Sequence, residues 1–145
     1  MVEMKIRRRN VVILATIIAA IVSLVVVGSI QGTQQRDLME RSVTALGRFP
    51  DAVAVNTRRD ERRITESYVT SHSEDEIRAY YDQRLRAMGW PGPGPTWSEG
   101  DFSMRCYVDP TGRITAKLGT RPVPLAGSYV YSIEVTRHGC TQLTS

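Results

Sequence analysis

Cys106, Cys140, His72, His138 and two short acidic clusters are the residues whose types and spacing bear first on chemistry. An even pair of cysteines in an oxidising compartment reads as one disulfide. Closing a loop of that length would constrain the unfolded chain by roughly 3–4 kcal/mol in the chain-entropy picture. The competing chemistry is a metal site, with His138 and Cys140 two apart and Cys106 and His72 completing four ligands. Structural zinc sites are built from closely spaced pairs such as C-x-x-C or H-x-x-x-H. Neither pair occurs, so a disulfide is expected and no metal or other cofactor is.

Catalytic constellations are sparse. No H-E-x-x-H, G-x-S-x-G, phosphate-binding glycine loop or S-x-x-K is present. His72 lies between Ser71 and Ser73 without a third group in sequence to orient it. Asp60 and Glu61 belong to a run of six charges, 58–63, whose mixed signs read as a solvated turn. Glu74, Asp75 and Glu76 are accounted for by a helix start. The expectation is a protein that is not an enzyme and acts by binding.

Two tryptophans are the remaining candidates. Trp90 and Trp97 flank a loop containing Pro91, Gly92, Pro93, Gly94 and Pro95. One reading is an aromatic surface for a ligand, glycan or protein partner. The other is that Trp90 fills the core at a helix end and Trp97 begins a strand, since large aromatics supply much of a small domain's buried area.

These residues must be positioned by two very different parts of the chain. Of the twenty residues 11–30, sixteen are Ala, Val, Ile or Leu and none is charged. A helix of that length spans about 30 Å, the hydrocarbon thickness of a bilayer. A cleavable signal has a shorter apolar core of about 7–15 residues, so an uncleaved transmembrane signal-anchor is expected. Lys5, Arg7, Arg8 and Arg9 precede it, which places the N-terminus in the cytoplasm and the C-terminal domain outside the plasma membrane. Ala15, Ala19 and Ser23 recur every fourth residue and form a candidate helix-association face. The same spacing also arises from ordinary membrane-helix composition.

From Arg36 onward, fifteen basic residues meet fourteen acidic ones. That near-neutral mixture lacks the basic face a nucleic-acid binder needs, so none is expected as a partner. The organisation reads as a basic tail (1–10), the span (11–30), a juxtamembrane linker with a short helix (31–50) and an extracytoplasmic domain (51–145). Within that domain, strands are expected at 52–56 and 64–70. Ser73 and Glu76 then fit a capping box. Ile77, Tyr80, Tyr81, Leu85 and Met88 form the apolar stripe of a helix, with Arg78, Asp82 and Arg86 opposite as solvent-side ion pairs. Gly89 ends that helix, and Trp90 falls where a contact back to the last turn is usual. Alternating strands at 103–108 and 113–119 flank a turn made by Asp109, Pro110, Thr111 and Gly112. A last strand covers 129–136. The fold class is α+β, one amphipathic helix packed in a second layer on an antiparallel sheet, in the order ββαβββ.

Phe49, Pro50, Asp51, Ala52 and Val53, then Tyr68, Val69 and Thr70, then Ile77, Tyr80, Tyr81, Leu85, Met88, Gly89 and Trp90 form a pattern over about half the domain. It resembles small membrane- or lipid-anchored extracytoplasmic domains of uncharacterised function from high-GC Gram-positive bacteria. The chain departs from that pattern in Tyr80, where Phe is usual, and in a membrane helix instead of a lipobox. The resemblance implies a fold and a cell-envelope location and supplies no catalytic residue. Together these readings point to a small subunit of an envelope complex, with capture of a small ligand or glycan near Trp90 and Trp97 as the alternative. A small extracytoplasmic hydrolase ranks below both.

Overall fold

The computed structural model describes residues 2–124 and 127–140, with side chains described from 16 onward except at 30. The chain divides into two compact units, Met1–Gln34 and Gln35–Ser145. Helix α1 (Val2–Leu46) runs without interruption. The polar stretch 31–35, read as part of a juxtamembrane linker, is helical and joins the short helix after it to the apolar segment. No proline falls there, and the hydroxyls of Ser29 and Thr33 bond carbonyls one turn back, at Val25 (2.9 Å) and Ser29 (2.7 Å), which lets polar residues stay helical. The second unit begins at Gln35 and takes in the end of α1, with Met39, Ser42, Val43 and Leu46 buried in it. Within Thr16–Leu46, α1 is long and apolar enough to cross a membrane, a property that a signal sequence near an N-terminus shares.

The second unit carries one six-stranded antiparallel sheet: β1 (Val53–Arg59), β2 (Arg63–Thr70), β3 (Thr96–Glu99), β4 (Phe102–Val108), β5 (Thr115–Pro122) and β6 (Tyr129–Thr136). Helix α2 (Glu74–Ala87) lies between β2 and β3 in sequence. The order across the sheet is β1-β2-β6-β5-β4-β3. The sequence reading had five strands, and β3 is the addition. It pairs with β4 through the short connection Gly100 and Asp101, with Gly100 at φ 57°. A two-residue hairpin needs positive φ at its first position, which glycine adopts without cost. β1 also runs further than expected and takes in Arg58 and Arg59, so the turn shrinks to Asp60, Glu61 and Arg62. The Asp60 carboxylate holds that turn by accepting the Arg62 and Arg63 amides, both at 2.9 Å.

Side-chain alternation gives the sheet two unlike faces. Tyr68, Tyr107, Ala116, Leu118, Tyr131, Ile133 and Val135 share one face and one apolar cluster with Met39, Val43 and Leu46 of α1 and Ile77, Tyr81 and Leu85 of α2. The capping box at α2 is formed: Ser73 Oγ accepts the Glu76 amide, and the Glu76 carboxylate accepts the Ser73 amide at 2.8 Å. At the other end Gly89 has φ 78°, and the Trp90 amide reaches back to the Leu85 carbonyl at 2.9 Å. Trp90 is thereby folded into the core, 6% exposed.

Candidate functional site

Beneath α2, the flank of the helix meets β4 in a polar ladder. Asp82 accepts the Tyr107 hydroxyl (2.5 Å) and an Arg105 guanidinium N–H (2.9 Å). One turn earlier, Arg78 pairs with Glu74 and donates to Ser103 Oγ at 2.5 Å. Glu74 in turn accepts the Thr120 hydroxyl at 2.9 Å. For Arg78 and Asp82 the expected solvent-side pairing is thus replaced by contacts to the sheet, while Arg86 stays exposed. Helical periodicity placed these residues off the apolar stripe, but it could not show that β4 supplies charged partners at that flank. Burial, reinforced by the bond to Asp82, pushes the Tyr107 phenol above its ordinary pKa. It stays protonated and donates. This is a docking network with its partners satisfied, apart from the buried Arg105 Nε.

A second constellation closes the end of α1. Tyr131 Oη accepts the Phe49 amide at 3.0 Å. Tyr81 lies 3.3 Å from that oxygen and donates to the Gly47 carbonyl at 3.0 Å, and Tyr80 donates to Arg48. The phenols act as caps for backbone groups at a helix end, which otherwise lack partners. His72 packs its ring on Phe49, with centroids 4.7 Å apart, and its Nδ1 lies 3.6 Å from Glu76 Oε1.

The opposite face of the sheet contributes nothing to the apolar cluster. Register assembles it in rows. One row runs Trp97, Met104, Gly119, Ser132 and Ser67. A Cβ on Gly119 would stand 2.8 Å from the Met104 sulfur, so glycine keeps that floor low. The next row holds Lys117, Glu134 and Thr65. Glu134 sits between Lys117 (3.5 Å) and Arg63 (3.8 Å). On the other side, the Arg121 guanidinium lies over the Phe102 ring, 5.0 Å from its centroid. Trp97, Phe102 and Met104 are all half-buried.

Two hollows open on this face. One, of about 290 Å³, is walled by Trp97, Phe102 and Met104. The other, of about 660 Å³, extends to the Asp60–Arg63 turn and to His138. Both are lined by Arg63, Lys117 and Glu134, so they adjoin and together make up the groove of this face. Volumes of about 300–1,000 Å³, with an apolar wall and a few fixed polar groups, are typical of ligand sites.

Cys106 lies at one end of this face, completely buried, and stands at disulfide distance from Cys140, Cα to Cα 5.8 Å. The tail is also held by the Thr115 hydroxyl, which donates to the His138 carbonyl at 2.5 Å. The cysteines therefore pair with each other, and His72, stacked on Phe49, joins no site with them. Among the described residues, no group of three or more His, Cys, Asp or Glu could hold a metal. Trp90 and Trp97 do not converge: the first belongs to the core and the second to β3. On α1, Ser23 Oγ is spent on the Ala19 carbonyl at 2.8 Å, and the side chain of Ala15 lies outside the described residues. Of the groove residues, Phe102, Met104, Lys117 and Glu134 were not singled out in the sequence reading. The usable signal was alternation in 102–108 and 115–122, which sets Phe102 and Met104 away from Tyr107 and Leu118.

No family model, curated protein or solved structure matches this chain.

Proposed function

We propose that this chain is a single-pass, membrane-anchored binding module of the cell envelope, with its N-terminus cytoplasmic and its folded unit outside the membrane. It acts by recognition and serves as a small subunit of an envelope protein complex. The observation that carries this reading is a helix of membrane-spanning length and composition, joined in sequence to a sheet whose two faces differ. A sheet with one face left to half-buried aromatics and paired charges offers a surface for recognition. Cross-linking of the full-length chain in native membranes, followed by purification, should recover a partner in constant ratio. Recovery of the full-length chain wholly in the soluble fraction would sink the proposal.

A second reading has its own observation. Trp97, Phe102 and Met104 form an aromatic wall beside fixed charges, the composition of a ligand-receiving site. In this reading the module is receptor-like and the groove holds a ligand while the membrane helix supplies location. Substituting Trp97 should abolish ligand capture without releasing the chain from the membrane.

A further inference from the structure

We infer that the groove on the open sheet face takes an uncharged oligosaccharide, an inference that rests on the receptor-like reading of that face. The first argument is extent. The groove runs from Trp97 on β3 across β4, β5 and β6, ending beside His138. Neighbouring strands lie about 4.8 Å apart, so the groove spans roughly 15–20 Å, long enough for several linked rings and too long for one. The second argument is the aromatic wall. A half-buried tryptophan offers a flat apolar surface with a polar edge, which suits the C–H face of a sugar ring.

The third argument is charge. Arg63 and Lys117 both flank the Glu134 carboxylate, and Arg63 also bonds Asp60 at 3.0 Å. The cations that line the groove, Arg62, Arg63 and Lys117, are matched by the carboxylates of Asp60, Glu61, Glu99 and Glu134, whereas a polyanion would need an excess of cations. Fixed ion pairs present donors and acceptors side by side. A hydroxyl both donates and accepts, so neighbouring hydroxyls match such an array. A peptide adding as a strand would need unpaired backbone groups. The floor strands β4, β5 and β6 are each paired on both sides and offer none.

The test is calorimetric titration of the full-length chain, held in a detergent without a sugar headgroup, with cellotetraose and with chitotetraose. Saturable binding with Kd near or below about 1 mM is expected for at least one of them. Trp97→Ala should weaken it by roughly tenfold or more, and Trp97→Tyr should restore most of it. Glu134→Gln should weaken it too, while Arg86→Ala, on α2, should leave it unchanged. Absence of saturable binding to either tetrasaccharide overturns the inference, as does a Trp97→Ala chain that binds like the parent. Tighter binding of a sulfated tetrasaccharide than of either neutral one also overturns it. A photo-cross-linker at Ser67 on the same face, used in native membranes, separates the two levels. Capture of a protein there with no saccharide binding would reject the saccharide and keep the face as a receiving surface. No capture and no binding would reject both.

Discussion

The helix-bearing face of the sheet and its open face are built from the same strands, yet they treat polar groups in opposite ways. On the covered face, tyrosine hydroxyls cap backbone groups and Asp82 ties Tyr107 and Arg105 to the helix. Apart from Arg105 Nε, those groups leave water with a partner in place, since an unpaired buried polar group costs about 1–3 kcal/mol. On the open face, Trp97, Phe102 and the ion pairs around Glu134 remain partly in solvent. The first arrangement specifies a fold. The second leaves side chains able to change partners, as recognition requires. Substitutions that respect this division should separate cleanly by their effect on stability.

The largest effect belongs to the centre of the covered face. Tyr131 is fully buried, stacks with Tyr68 at 5.1 Å and accepts the Phe49 amide. Tyr131→Ala should cost about 3–5 kcal/mol through the cavity it leaves. Tyr131→Phe should cost about 1–3 kcal/mol, because the Phe49 amide would lose its acceptor. Denaturant unfolding of the full-length chain in micelles measures both. A loss below about 1 kcal/mol for Tyr131→Ala would break the distinction between the faces.

The Cys106–Cys140 pair comes next, because it covers one end of the open face with chain instead of helix. The sequence separation is 34 residues. Cys106→Ser with Cys140→Ser should lower stability by about 3–4 kcal/mol, an upper-end figure from loop closure. The same loss should appear on reducing the parent chain. Equal unfolding midpoints with and without reductant would show that the tail stabilises nothing.

How much of this was legible in the residues depends on how local each signal is. Helix α2 was readable because Ser73, Glu76, Gly89 and the Ile77, Tyr81, Leu85 stripe lie within one short segment. The Cys106 and Cys140 pairing needed only an even count and a compartment. β3 was anticipated only as a strand beginning at Trp97 and was left out of the five-strand order, because four residues hold too little alternation; its evidence is the Gly100 turn that binds it to β4. The role of Asp82 was misjudged because Arg105 and Tyr107 reach it from 23 and 25 residues away. The open-face groove was least visible. Its residues come from five strands, and only the register brings Trp97 beside Met104 and Lys117 beside Glu134. The two tryptophans show the limit most plainly. The loop between them was read two ways, and the deciding fact is which face each ring occupies.

A smaller effect comes from the β4–β5 turn and depends on pH. Asp109 is 5% exposed. Burial pushes its carboxyl up, but the bonds it accepts from the Ile114 amide and from the Thr111 hydroxyl and amide outweigh that, and it is held below its ordinary 3.8. A carboxylate with a depressed folded pKa contributes stability above its unfolded value, and that contribution is lost as pH falls through the folded value. The parent chain should therefore lose stability from about pH 4 downward. Asp109→Asn should cost about 1–2 kcal/mol at neutral pH and should flatten the acid limb. Unfolding curves at successive pH values compare the two; parallel acid limbs would assign the loss to other carboxylates.

The smallest stability effect should come from the residue most exposed to functional demand. Trp97 sits on a four-residue edge strand, outside the apolar cluster and half in solvent. Its truncation removes partial contacts with Met104 and leaves no sealed cavity, so Trp97→Ala should cost under about 1 kcal/mol. Phe102→Ala should behave alike, releasing Arg121 to water. A tryptophan that contributes little to folding while walling a groove is free to serve a ligand. If Trp97→Ala instead costs as much as Tyr131→Phe, the ring is a structural plug and the division between the two faces fails at that point. If the cost is small and the calorimetric signal disappears with it, stability and recognition have been assigned to opposite sides of one sheet.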